Sequence, residues 1–364
     1  MDNIIAALEH NDRVSQILLG CFSSSQLEYY VTSSAVMQKH FPMLTDLRLG
    51  MFEHVGPGPI LPDSFLGGAA PRLRSLELSD VPFPGLPKLL LSATHLVCLI
   101  LSNIPRSGYV SPEVMATSIS ALTSLEYLCL HFRYPQPRPV LESRRPPPLT
   151  RSILPTLNKF QFKGVSEYLE EILARIDAPR LNELDITFFN QIIFDTPQLF
   201  QFISRRPTLR APEMGRITFS SEAINAKFSS QISDCGILSV KIPCTASEWQ
   251  LSSLEQICTS TLPPVSTLES LYILDHFSQL FWQDGVENTL WLELFHPFVA
   301  VKNLYICEKF VPRIAPALQE LVEGRTTEVF PTLENIFLEG FRPPSPLHEG
   351  IESSLPHDGS LVAL

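Results

Sequence analysis

Pro71-Arg72-Leu73-Arg74-Ser75-Leu76-Glu77-Leu78-Ser79-Asp80-Val81 is the stretch whose reading decides the fold. Its leucines stand at positions one, four and six, and Val81 closes the unit at position nine. Leu76 and Leu78 are two apart, so on a strand they share one face while Ser75, Glu77 and Ser79 take the other. Working outward, the spacing returns at Leu44, Leu47, Leu49; Leu96, Leu99, Leu101; and Leu125, Leu128, Leu130. It continues at Leu157, Phe160, Phe162 and at Leu181, Leu184, Ile186. Late copies are Leu268, Leu271, Ile273; Val301, Leu304, Ile306; and Leu333, Ile336, Leu338. One such strand cannot bury its apolar face alone, so neighbouring copies must stack.

With leucines at one, four and six, the chain resembles the leucine-rich-repeat family, whose ninth position is usually Asn or Cys. Here that position reads Phe52, Val81, Ile104, Arg133, Val165, Phe189, His276, Lys309 and Phe341, so the asparagine ladder of the regular form is missing. The resemblance therefore implies an irregular α/β solenoid, a horseshoe with a parallel concave sheet and return helices on the convex side. Successive first positions within each run lie 23 to 33 residues apart, which leaves room for those helices.

Helix signals sit where this scheme needs them. Asp2 to Glu9 reads as an opening helix, and Val14 to Leu19 suits a buried first strand. A helix is expected over Ser25 to Met37, with Leu27, Val31 and Ala35 inward. Ser111-Pro112-Glu113 opens a return helix, with a capping serine and proline at the first helical position. Ser166 opens another, burying Leu169, Ile172, Leu173 and Ile176. Thr196-Pro197 opens a third with Leu199, Phe200 and Ile203 inward, and Ser247 a fourth with Leu251, Leu254 and Ile257. The last, Pro312 to Glu323, contains Pro316 and ends at Gly324. Between 186 and 268 the motif decays, but Arg216 to Phe219 and Leu238 to Ile242 read as strands. One solenoid is expected over 1–341, with a proline-rich surface loop at 134–148 and a poorly ordered polar tail at 342–364.

Composition narrows the function classes. The 364 residues are 45% hydrophobic and 18% charged, with formal charge −11. No Lys/Arg-rich stripe with interleaved aromatics is visible, which speaks against a nucleic-acid partner. Arg144-Arg145 and Arg205-Arg206 read as solvated pairs. Seven scattered cysteines and no signal-like start suit reduced thiols in the cytoplasm or nucleus. The most apolar stretch, Leu86 to Ile104, is too interrupted to span a membrane. Phosphate loops, paired Cys or His metal ligands and nucleophile elbows do not occur. Glu170-Glu171 point apart on a helix. No catalytic, cofactor or metal residue is therefore expected, and the chain reads as a non-enzyme.

A binding face is expected instead. Residues flanking position six line up across neighbouring strands on the concave side. Tyr127, His131, Tyr272, Asn303, Tyr305 and Phe337 are the candidates for a protein partner, and Tyr272, Tyr305 and Phe337 share one slot on successive strands.

Two stretches, Asp2 to Val14 and Phe330 to Gly340, carry a narrower resemblance to fungal, mushroom-type F-box and leucine-rich-repeat proteins. That resemblance implies the substrate-recognition part of a ubiquitin-ligase receptor, with a cullin-ligase adaptor as partner only where an F-box lies upstream. A regulatory or decoy binder with no ubiquitin link is the alternative.

Overall fold

The computed structural model describes residues 2–33, 35–51, 58–136, 150–189, 196–230, 236–244, 247–261, 265–275, 288–320 and 329–339. The chain divides into two compact units, Met1–Phe189 with Thr196–Arg206, and Asn190–Asp195 with Pro207–Leu364. The proline-rich segment from 137 to 148, the tail 342–364 and Gly324 lie outside the described residues.

The strands of the first unit are β1 (Gln16–Phe22), β2 (Asp46–Met51), β3 (Ser75–Ser79), β4 (Cys98–Ile104), β5 (Tyr127–Phe132), β6 (Ser152–Ile153), β7 (Lys159–Gly164), β8 (Ile176–Asp177) and β9 (Glu183–Phe188). β6 and β8 pair in a small sheet of their own; the rest form one parallel sheet in chain order. Motif residue faces motif residue throughout: Leu47, Leu76, Leu99, Leu128, Phe160 and Leu184 are successive partners. From Leu44 to Ile306, all three inward residues of every motif copy are at most 3% exposed. Each buried leucine contributes about 1.5–3 kcal/mol of hydrophobic stabilisation.

Helices cover the leucine face. In the first unit these are α1 (Asp2–Glu9), α2 (Ser24–Glu28), α3 (Leu86–Ser92), α4 (Pro112–Ser120), α5 (Ser166–Leu173) and α6 (Pro197–Ser204), and α3 to α6 pack side by side. Tyr168 of α5 meets Phe132 of β5 edge-on at 4.7 Å, so the aromatic layer ties helix to sheet. Ser111 caps α4, as the sequence predicts. Several expectations need correction. β1 buries Ile17 and Leu19, but alternation sends Leu18, 59% exposed, to the face the helices leave open. The segment after Ser23 forms only a short helix before its turns change pitch, which turns Ala35 outward and Val36 and Met37 in. On α6, Phe202 is the buried ring and Phe200 faces out. Ile176 is buried, but on β8 rather than on α5.

In the second unit the strands are β10 (Met214–Phe219), β11 (Ala223–Ser229), β12 (Ile237–Pro243), β13 (Ser270–Asp275), β14 (Asn303–Cys307) and β15 (Asn335–Glu339). Their order is β12-β11-β10-β13-β14-β15. β10 and β12 stand where the sequence indicates strands, but β11 is unexpected, and it runs antiparallel to both. Its helices are α7 (Pro207–Arg210), α8 (Ser247–Gln256), α9 (Asn288–Phe295) and α10 (Val311–Glu320). Trp291 of α9 and Phe310 pack on Phe219 of β10 at 5.8 and 5.1 Å. The last motif copy behaves differently: Leu338 is 39% exposed and Leu333 and Ile336 are half-buried, because no described strand lies over β15.

Candidate interaction face

Strand alternation sends the residues between the inward leucines to the face the helices leave open, and parallel in-register pairing sets them in rows about 4.8 Å apart. In the second unit one row runs Ser239, Lys227, Arg216, Tyr272, Tyr305, Phe337. The three aromatic rings stack. Tyr272 and Tyr305 have centroids 4.2 Å apart and planes within 5°, and Tyr305 and Phe337 are 4.6 Å apart at 12°. The Arg216 guanidinium lies 6.0 Å from the Tyr272 centroid. Two residues back along the strands, the Asn335 side-chain amide donates to Oδ1 of Asn303 at 2.9 Å.

The first unit's open face is built otherwise. Its central row is Leu18, Arg48, Glu77, Ile100, Cys129, Gln161, Asp185. On this face charges meet opposite charges one strand away: Arg48 and Glu77 in that row at 3.3 Å, Lys159 and Glu183 two residues earlier at 2.7 Å. Tyr127 donates its hydroxyl to Gln161 Oε1 at 2.6 Å, and its ring lies 5.7 Å from the Lys159 ammonium. His131 is half-buried; desolvation, and then the nearby Lys163 charge, hold its pKa below the ordinary value. The Cys98 thiol is pushed up, chiefly by burial, and that of Cys129 to about 12, again chiefly by burial. Burial thus favours the neutral thiol at both positions.

Of the six candidate residues, the structure brings Tyr272, Asn303, Tyr305 and Phe337 into one patch in the second unit. Tyr127 and His131 belong to the first unit. Arg216 and Lys227 belong to the second unit's row and were not read as site residues. Arg216 lies on a strand the sequence indicates, but Lys227 is on β11, where alanines and an asparagine weaken the strand signal.

Other polar side chains that look chemical in the sequence are structural. Glu170, only 8% exposed, accepts from the backbone N–H of Gln198 and Leu199, each at 2.8 Å, and so caps α6 from the neighbouring repeat. Glu171 pairs instead with Arg175. Arg206 is not solvated as its sequence context suggests: it is 2% exposed, pairs with Asp177 and covers the Phe202 ring at 4.3 Å. A short polar link does exist at position eight of two neighbouring copies, one position earlier than the motif places it. Asp80 and Asn103 take left-handed φ of 59° and 52°, which Asp and Asn tolerate better than most residues. Asn103 donates to Asp80 at 3.1 Å, and Arg133 reaches the same carboxylate at 3.3 Å. Beside it, a cavity of about 390 Å³ is lined by Pro105, Arg106, Tyr109, Phe132 and Tyr134. Among the described residues there is no cluster of metal-ligating side chains. No described helix is long and apolar enough to cross a membrane.

No family model matches the chain, and no curated protein does. Among solved structures, the chain matches the crystal structure of the leucine-rich repeat-containing protein LegL7 from Legionella pneumophila. It is 12% identical, aligns over 89% of this chain and 90% of that one, and superposes with a TM-score of 0.33. A likeness of that size speaks to neither ligand nor activity.

Proposed function

We propose that the chain is a non-enzymatic protein-interaction scaffold whose partner docks on the open sheet face. The observation that carries this reading is the stacked ladder Tyr272, Tyr305, Phe337. Half-buried aromatics held rigid by their neighbours lose little entropy on binding, and such residues dominate protein interfaces. The Asn303–Asn335 amide pair supplies polar contacts beside the rings, and Tyr127 and His131 are secondary contacts in the first unit. The finer version is the substrate-selecting part of an F-box ubiquitin-ligase receptor acting in the cytoplasm or nucleus; the sequence resemblance alone supports it. Its alternative is a regulatory or decoy binder without a ubiquitin link.

Affinity capture with the wild-type chain, the Tyr305→Ala, Phe337→Ala double variant and a deletion of 138–147 tests the reading. The double variant is expected to keep its circular dichroism and melting curve, since neither ring lies in the leucine core. It should lose captured partners, each ring contributing about 2 kcal/mol or more. A partner lost only on the loop deletion would sink the open-face reading. Recovery of cullin-ligase adaptors decides between the two finer versions.

A further inference from the structure

The two cations beside the ring ladder have no counter-charge in their row. Lys227 stands opposite Arg216, and Arg216 opposite Tyr272, so the row changes from basic to aromatic at a single strand boundary. Nε of Arg216 is buried and has no hydrogen-bond partner among the described residues. The arginine is thus not fully hydrogen-bonded within the protein, and the charge of this half-buried guanidinium is what would draw an anion from outside. Lys241, exposed, stands across from Asn225 in the next row, followed by Thr218 and Leu274. On the other side are Met214, Ser270, Asn303 and Asn335. Within these three rows the carboxylate position is Glu339, opposite Cys307 on β15; Glu213, Glu269 and Glu334 stand one residue before Met214, Ser270 and Asn335, where Lys302 pairs with Glu269. In a protein of net charge −11, these rows set three cations against one carboxylate.

From these contacts we infer that the partner is an extended acidic–aromatic peptide segment of another protein, lying across the strands. This rests on the open-face reading above and names its partner's chemistry. Asp or Glu side chains of the segment meet Arg216, Lys227 and Lys241, while an aromatic or large aliphatic side chain packs on the edges of Tyr305 and Phe337. Arg216 and Phe337 are three strand steps apart, about 14 Å, which an extended chain covers in roughly four residues. Acidic and apolar residues of the segment are therefore about four apart. Basic residues beside aromatics also suit single-stranded nucleic acid, whose bases stack on ring faces. Here the facing sides of the three rings are taken by one another, at 4.2 and 4.6 Å, so the middle ring offers a base only its edge.

The probe is a random twelve-residue peptide library displayed on phage and selected on the immobilised full chain. Recovered peptides are then synthesised and their affinity measured. Acidic residues spaced about four from an aromatic or aliphatic are expected, with affinity falling as salt rises from about 50 to 500 mM. Arg216→Gln with Lys227→Glu should weaken binding about tenfold or more. Lys241→Glu, on an exposed residue, gives the same test without touching the half-buried arginine. Recovered peptides that lack acidic residues, yet lose affinity in the Tyr305→Ala, Phe337→Ala variant, would overturn this inference and leave the open-face reading standing. Peptides indifferent to both variants, or no enrichment over bare matrix, would overturn both. Displacement of the peptide by an equal concentration of a thymidine oligonucleotide would assign the row to nucleic acid and overturn the inference as well.

Discussion

The two units make their inner faces alike and their open faces differently. Inside, Leu99 of the first unit and Leu304 of the second occupy equivalent slots and are both wholly buried. Outside, the first unit pairs charges across its strands, Arg48 with Glu77 and Lys159 with Glu183, and the second does so beside its rows, Lys302 with Glu269. The second gathers Lys227, Arg216 and three stacked rings into one row. The inner face answers only to packing, which any sufficiently apolar repeat satisfies. The open face lies outside the leucine core, so its chemistry is freer to differ, and a face whose charges are already paired has less to offer a charged partner.

The largest expected effect tests the shared half of that comparison. Leu99→Ala and Leu304→Ala should each cost about 2–5 kcal/mol in denaturant unfolding, as for other buried leucines. A loss under about 1 kcal/mol in one unit only would mean that the two inner faces are not equivalent. Next comes Glu170→Ala, which leaves two buried N–H groups at the start of α6 without an acceptor. A loss of about 2 kcal/mol is expected, against nearly none for Ala substitution of the partly exposed Glu171. Equal losses at the two sites would refute the cap.

Smaller still is Glu77→Ala. The Arg48 partner is 61% exposed, so water already screens the pair and the change should stay within about 0.5 kcal/mol. A loss above about 1 kcal/mol would show that the first unit's face contributes to folding, which breaks the contrast. The smallest effect is at His131. Its folded pKa is lowered, so the unfolded chain takes up the proton first as pH falls. Stability is unaffected above the ordinary histidine pKa of about 6.5 and declines as pH drops below it towards the folded value. His131→Gln should flatten the melting temperature between about pH 7 and 5.5 relative to wild type. An unchanged slope would assign that titration to other groups.

Much of this was legible in advance because period-two leucine spacing leaves a strand one way to bury itself. The ring slot at Tyr272, Tyr305 and Phe337 followed from the same phase, and pairing then brought the rings into contact. The buried roles of Glu170 and Arg206 were not legible. Each depends on a partner some 28 or 29 residues away on the adjoining repeat, and local sequence says nothing of which side chain meets it there. The threonines one residue before Leu157 and Leu333 are similar. Thr156 and Thr332 donate to the carbonyls of Leu125 and Val301, the first motif positions of the preceding copies.

By itself the sequence determined that Leu-rich strands repeat, that they share one phase, and which residues lie between the inward ones. Those are consequences of side-chain alternation along a single strand, a property each copy carries internally. Only the tertiary structure decided that β11 turns back between β10 and β12. That reversal sets Lys227 opposite Arg216, and pairing with β13 sets Arg216 opposite Tyr272. The basic–aromatic row therefore exists only once strands distant in the chain are paired, because register across strands is set by hydrogen bonding between segments and not by the spacing within either one.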